Sequence, residues 1–220
     1  MNNMKKLLIL VGAGKGLGNA IAKEFASHDF RVALIARNAE NLTAYRQEFQ
    51  ALGYEVMTQV ADALYPETLT KAINAIQAEW GTCDALVYNV GITELDNDRP
   101  ITNELLMQRY QIDAASAYHC AMLVATPEFA AKQGAIIFTG GGFAKTFQPI
   151  LALKPLCIDK AALNAMNIVL HHLLAPQGIF VGSVLVSNVI QPNDPKYAPD
   201  VIAKAYWKMY CERDEFELLY

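Results

Sequence analysis

Three glycines, Gly12, Gly16 and Gly18, stand between a short apolar run, Leu7 to Val11, and a segment in which Ile21, Ala22, Phe25 and Ala26 recur at helical spacing. Strand, glycine turn and helix form the arrangement a nucleotide pyrophosphate needs. Free N–H groups at a helix start carry partial positive charge, and glycines let phosphate come close to the backbone. Gly12, Lys15, Gly16, Leu17 and Gly18 are therefore candidate cofactor-binding residues. A second apolar run ends at Ala36, and Arg37 follows it. A site for an unphosphorylated ribose places a carboxylate after this strand, to hold the 2′-hydroxyl. Here a guanidinium stands there instead, with the Lys15 ammonium in the turn beside it. Two cations at one pocket suit a ribose that carries a 2′-phosphate, as in NADP(H). The plain alternative for Arg37 is a solvated charge at a helix start.

These residues need elements to hold them, and the rest of the chain supplies a regular alternation. Arg31 to Ala36 is a buried parallel strand, and a helix from near Asn38 carries Leu42, Tyr45, Phe49 and Leu52 on one face before Gly53. Tyr54 to Ala61 is a third strand. Pro66 opens a helix that turns Leu69, Ile73, Ile76 and Trp80 inward. Ala85 to Asn89 is a fourth strand, followed by one long helix from about Thr102 to Thr126 that Pro127 interrupts. Ala135 to Thr139 is a fifth strand, Ala161 to Leu174 an apolar helix and Ile179 to Val186 a sixth strand. Pro199 opens a last helix through about Met209, and Glu215 to Tyr220 is a terminal seventh strand. Strands and helices alternating at this spacing predict an α/β fold: a single Rossmann-type, doubly wound parallel sheet of about seven strands flanked by helices, one domain over residues 1–220.

The spacing Gly12, Gly16, Gly18 resembles the TGxxxGxG turn of the short-chain dehydrogenase/reductase family, with Val11 in the threonine's place. Two further segments carry the likeness. Asp62-Ala63, after the third strand, is similar to the acidic motif with which that family holds the adenine ring. Tyr88-Asn89-Val90-Gly91 is similar to its NNAG segment, in which the asparagine braces the sheet and the glycine leaves room for the adenosine ribose. The resemblance spans Leu7 to about Val189 and implies cofactor-binding roles for Asp62, Ala63, Asn89, Val90, Gly91 and Val189, with NADP(H) as the cofactor.

The family's chemistry rests on an Asn, a Ser, a Tyr and a Lys, and here the likeness breaks. Lys160 matches the lysine that holds the nicotinamide ribose, but Leu156 stands four positions earlier, where the family has its proton-exchanging tyrosine. Gly140-Gly141-Gly142 replaces the serine pair, and Asp113 stands where the asparagine belongs. Ile136 to Gly140 and Tyr206-Trp207 resemble a divergent branch of the family in which that tyrosine is also missing. Substitute groups are few. Lys160 donates directly if burial lowers its pKa, Thr139 at the end of the fifth strand can hydrogen-bond a carbonyl, and Asp113 bears on Lys160. Asp113 with Lys160 can equally be a structural ion pair, Thr139 a strand-end cap and Tyr197 loop packing.

Composition narrows the classes. A formal charge of −4 from 18 basic and 22 acidic residues leaves no electrostatic footprint for nucleic acid. No segment has the length of a membrane span, and the opening apolar run is too short for a secretory signal. Cys83, Cys120, Cys157 and Cys211 are scattered, without a CxxC pair, so neither a disulfide frame nor a metal site is expected. The adjacent His171 and His172 point to different sides of a helix and cannot share a metal. A soluble cytoplasmic protein is expected. The helices from Thr102 and from Ala161 are apolar beyond one core stripe, so both sides are expected to be buried, and the resemblance implies that they pair with their copies in a homodimer or homotetramer. Three readings result: an NADP(H)-dependent oxidoreductase on a small carbonyl or alcohol with a non-standard site, a non-catalytic NADP(H) sensor, and a structural oligomer that has lost the cofactor.

Overall fold

The computed structural model describes residues 5–96, 100–146 and 148–220. In chain order its elements are β1 (Lys6–Val11), α1 (Leu17–Ser27), β2 (Phe30–Ala36), α2 (Ala39–Ala51), β3 (Val56–Val60), α3 (Pro66–Trp80) and β4 (Ala85–Tyr88). They continue with α4 (Asn103–Tyr110), a π-helical turn (Gln111–Ala115), α5 (Ser116–Val124), α6 (Pro127–Ala131), β5 (Ala135–Gly141) and α7 (Gly142–Thr146). The last are α8 (Lys154–Leu174), β6 (Phe180–Val186), α9 (Pro199–Glu212) and β7 (Glu217–Leu219).

All seven strands are parallel, in the order β3-β2-β1-β4-β5-β6-β7, so the chain starts at the centre, winds one way and then returns to wind the other. Both faces of the sheet are covered, and the central strands accordingly read as continuous apolar runs: Leu7 to Leu10 and Ala85 to Tyr88 are fully buried. Side chains of α3, α5 and α8, among them Leu69, Ile73, Ala117, Val124, Leu163 and Leu170, pack on one face. Residues of α1, α2 and α9, among them Ile21, Phe25, Phe49, Ile202 and Tyr206, pack on the other. The order reverses between β1 and β4, and at that switch point the carboxyl ends of the strands leave a crevice.

The doubly wound sheet is as expected; several boundaries are not. The long helix expected from Thr102 to Thr126 is two helices joined by the π turn at Gln111–Ala115. Contacts from outside the helix hold that turn: the Tyr88 hydroxyl donates to the Ile112 carbonyl, and the Asp113 carboxylate accepts the Ile92 N–H at 3.1 Å. Pro127 opens α6 after a Thr126 cap that accepts from the Phe129 N–H. The apolar helix begins at Lys154 rather than Ala161, with Pro155 in its first turn, so Leu156 and Lys160 share one continuous helix. Leu52 is exposed, because α2 ends at Ala51 and the chain turns at Gly53 with φ +79°. The last helix runs three residues beyond Met209, to Glu212.

Candidate functional site

At the switch point β1 runs into a turn that only glycine can make. Gly12 has φ +93°, and a Cβ there would lie 2.8 Å from the Asn89 carbonyl carbon. A Cβ on Gly18 would lie 2.5 Å from the Gly12 carbonyl oxygen. Backbone from β1, α1 and the end of β4 is thereby drawn together. The start of α1 follows at Leu17, with Gly16 as its cap residue and no side chain capping it. A helix start without a side-chain cap suits an anion, although the Asn19 N–H is already taken by the Gly14 carbonyl.

A cleft of about 280 Å³ runs from this turn across the ends of β2 and β3. Of the candidate cofactor residues, Gly12, Arg37, Asp62 and Ala63 line it, and Asn89, Val90 and Gly91 form its other wall. Lys15, Gly16, Leu17 and Gly18 do not line it; the first two are exposed and the last two buried. Asp62 also shapes its own loop, its carboxylate accepting the Leu64 N–H at 2.9 Å. Val189 is exposed in the loop after β6 and does not line the cleft.

A chain of hydrogen bonds holds the glycine turn from behind. The Thr139 hydroxyl donates to the Asn89 side-chain oxygen at 2.8 Å, and the Asn89 amide donates to the Gly12 carbonyl at 3.1 Å. With its one proton so used, Thr139 accepts from the Tyr206 hydroxyl at 2.7 Å. Tyr206 is fully buried on α9, which pushes its hydroxyl pKa up. This corrects the expectation that Thr139 offers its hydroxyl to a carbonyl substrate: its one proton is committed to Asn89.

Beyond Gly91 lies the end of the site where chemistry would occur. The Lys160 ammonium donates to the Val90 carbonyl at 2.8 Å and to the Thr139 carbonyl at 2.9 Å. Burial lowers its pKa, while the Asp113 and Asp159 carboxylates oppose that shift. Leu156 packs beside it, and a Cβ on Gly91 would stand 3.4 Å from the lysine and 3.9 Å from Leu156. Leucine thus fills the place of the family's tyrosine. The serine's place is filled as well, since a Cβ on Gly141 would meet the Phe143 ring at 2.6 Å.

Asp113 does not form the ion pair with Lys160 that the sequence suggested. Its ion pair within 4 Å is with Arg109, four residues earlier and 3.8 Å away, both of its oxygens face the Ile92 N–H, and the Lys160 charge still acts on it. The π turn re-aims Asp113 toward β4's loop, which is the reason for the difference. Arg109 donates to the Ile92 carbonyl from a buried position. Burial raises the Asp113 pKa, against the pull of Lys160, the Ile92 N–H and Arg109.

Sequence reasoning missed four residues here: Arg109, Asp159, Tyr206 as a hydrogen-bond donor, and Phe143. Asp159 left a readable trace, a carboxylate one turn into an otherwise apolar helix. Arg109 left none, because a charge in an amphipathic helix ordinarily faces water. Tyr197, a remote candidate donor, packs against Tyr220 with ring centres 6.0 Å apart and makes no contact with the Lys160 cluster among the described residues. Of the histidines, His28 stacks on Trp207, His119 hydrogen-bonds Thr70 and His171 stacks on Phe216. No group of metal-ligating side chains occurs among the described residues, and no described helix is long and apolar enough to cross a membrane.

The sequence profile of the short chain dehydrogenase family matches residues 6–196. Gluconate 5-dehydrogenase of Gluconobacter oxydans (strain 621H) is 33% identical over 84 residues, which are 38% of this chain and 33% of that protein. The matched segments span 46% to 69% of the next four curated relatives, about half in three of them. Among solved structures, a metagenomic short-chain oxidoreductase in complex with NADP superposes with a TM-score of 0.86 at 24% identity, covering 98% of this chain and 96% of that one. An NADPH-bound short chain oxidoreductase of Pseudomonas aeruginosa PAO1, described as containing an atypical catalytic center, superposes with a TM-score of 0.84 at 17% identity, covering 97% and 95%. With its sheet order, its glycine turn and nine-tenths of its length matched to the profile, the chain belongs to the short-chain dehydrogenase family.

Proposed function

We propose that this chain is an NADP(H)-dependent oxidoreductase acting on a small carbonyl or alcohol through a non-standard active site. The observation that carries the reading is the arrangement along one crevice: Arg37, not a carboxylate, follows β2 in its lining, and the Lys160 ammonium donates to the carbonyl of Val90 on its other wall. The glycine turn fits a diphosphate, since no side chain can occupy Gly12 or Gly18. Arg37 and Lys15 would hold the 2′-phosphate, and Asn89, Val90 and Gly91 would wall the adenosine. A bound nicotinamide nucleotide supplies or accepts the hydride. Lys160 has two of its three N–H bonds taken by carbonyls, and its third would be the one to donate to a ribose or substrate oxygen.

A second reading rests on a specific observation. Leu156 and the Phe143 ring occupy the two places where the family keeps its hydroxyls, and a non-catalytic NADP(H)-binding sensor needs neither. Four cysteines without disulfides, three of them buried, suit a reducing compartment such as the cytoplasm.

One experiment separates these readings. Titration with NADPH and NADH, followed by nucleotide fluorescence, is expected to show NADPH binding about 10- to 100-fold tighter, the equivalent of about 1.5–3 kcal/mol for a charge-assisted contact. Oxidation of the bound NADPH by a panel of small aldehydes and ketones then supports the oxidoreductase. Binding without oxidation supports the sensor, and no binding of either nucleotide overturns both.

A further inference from the structure

A second cavity, also of about 280 Å³, shares no lining residue with the nucleotide cleft; Ile101, Phe143, Pro149, Lys154, Cys157 and Ile158 form its walls. Its two polar members are already engaged. The Lys154 ammonium donates to Asp96 at 2.6 Å and to the Leu151 carbonyl at 2.9 Å, and the Cys157 sulfur accepts the Ile150 N–H at 3.3 Å. Ile150 and Leu151, whose backbones make two of those bonds, add exposed apolar side chains. An aromatic and aliphatic lining of this kind suits an uncharged, apolar guest. Two of its walls continue the segments that hold Lys160. Phe143 is the residue whose ring would meet a Cβ on Gly141 at 2.6 Å, and Gly141 ends the strand whose Thr139 carbonyl accepts from Lys160. Cys157 follows Leu156, which meets Gly91 together with that lysine.

We propose that the hydride acceptor is a quinone whose apolar ring body is seated in this cavity against Phe143. The proposal rests on the oxidoreductase reading and names the substrate class of that site. The product's chemistry decides the class. Reducing a ketone leaves an alkoxide about as basic as hydroxide, since water itself ionises only near a pKa of ~16. Such an oxygen needs a positioned acid as the hydride arrives, a contribution of about 10²–10⁴ in rate. Leu156 and the Phe143 ring stand where the family keeps its hydroxyls, so a ketone here forgoes the phenol's share of that factor. A quinone does not need it. The C–H bond of the reduced nicotinamide breaks, and its hydrogen, with the electron pair, forms an O–H bond on one quinone oxygen. The nicotinamide is oxidised, the quinone ring becomes aromatic and its second oxygen is left a phenolate. A phenol ionises near 10, so at neutral pH that phenolate takes its proton from solvent and the product is the hydroquinone.

The shape and polarity of the cavity agree with that guest. A volume at the lower end of the range for ligand pockets suits a body of one or two rings. A planar ring can pack edge-on or offset against Phe143, whereas a polyol or a hydroxy acid would leave its polar groups unpaired against Pro149, Ile158 and Ile101.

Two measurements test this. The first is calorimetric titration of the NADP⁺-loaded protein, in which nothing is reduced, with 2,3-dimethyl-1,4-naphthoquinone, whose methyl groups block addition of thiols such as that of Cys157. Saturable binding is expected, weakened at least about tenfold in Phe143→Asp while NADPH affinity stays within about twofold. Pro149→Asp, at an exposed position, takes its place if Phe143→Asp does not fold. No binding, or binding that the folded variant does not weaken, overturns the proposal. The second is turnover. After subtraction of the rate without protein, kcat/KM for NADPH oxidation by this quinone is expected to exceed that for 2-methyl-1-tetralone, a ketone of similar fused-ring shape, by at least about 100-fold. A smaller ratio overturns the proposal alone and leaves the oxidoreductase reading standing. A wild type that binds NADPH and reduces neither of these nor any of the small aldehydes and ketones overturns that reading, and this proposal with it.

Discussion

At Leu156 the side chain is nearly all buried and lies against Gly91 and Lys160, in the space where a phenol would meet that ammonium. Leu156→Tyr restores an ionisable hydroxyl beside a buried cation, and a nearby positive charge lowers a tyrosine's pKa. A positioned general acid contributes about 10²–10⁴ in rate, so kcat for carbonyl reduction is expected to rise at least about tenfold. NADPH affinity is expected to stay the same, with a new inflection in the pH–rate profile. A variant that folds and binds NADPH without that gain favours the sensor reading. The residue types at this site were legible from spacing, because the positions to compare are counted from Gly12 and Lys160. Their bonding was not. Nothing in the run Gln111 to Ser116 says that Asp113 turns to the Ile92 N–H, a contact across 21 residues, and Arg109 pairs with it only because both are held buried at the π turn. Thr139 is a similar case: its neighbours Asn89 and Tyr206 come from β4's end and α9, so only the folded chain shows its hydroxyl proton to be committed.

Among the elements, the strands were the most legible, because parallel strands buried on both faces read as unbroken apolar runs. Helix ends and internal defects were less so. Periodicity cannot distinguish an α turn from a π turn, and the break at Gln111 is held by tertiary contacts from Tyr88 and Ile92. The glycine turn lies between these cases: its residues were evident in sequence, and the structure adds the reason for each. The Gly18 Cα faces the Gly12 carbonyl, which also accepts from Asn89, so Gly18→Ala would force a methyl to 2.5 Å from that oxygen. Overpacking of this kind costs about 1–3 kcal/mol, and here the strain is placed on the loop that would cradle the diphosphate. NADPH affinity is expected to fall at least about tenfold by fluorescence titration, with a lower Tm by scanning calorimetry. Full affinity in a variant of lowered Tm would show that the turn does not grip the diphosphate. The same substitution at Gly14, where an added Cβ meets nothing within 4 Å, serves as the control and is expected to bind normally.

Taken as a whole molecule, the sheet buries both of its faces, yet one helical layer still turns apolar side chains outward. Tyr118 and Met122 on α5 and Ile158, Ile168, Val169 and Leu173 on α8 are all exposed, Val169 at 61%. The inward faces of the same helices are already satisfied by Ala117, Val124, Leu163 and Leu170, so core packing does not account for the outer ones. Exposed apolar side chains gathered on α5 and α8 in this number suit an interaction face. A second copy is the occupant proposed here, because two-fold pairing presents the same patch to itself and none of these residues lines the cleft at the switch point. Val169→Lys tests this with little risk to the monomer fold, since exposed substitutions usually change stability by within about 0.5 kcal/mol. In sedimentation velocity the wild type is expected to run as a dimer or tetramer. The variant is expected to shift to monomer with its Tm lowered in a concentration-dependent way, because assembly stabilises the folded state by mass action. A wild type that sediments as a monomer at tens of micromolar would remove self-association from the account and leave the α5–α8 face to a different protein.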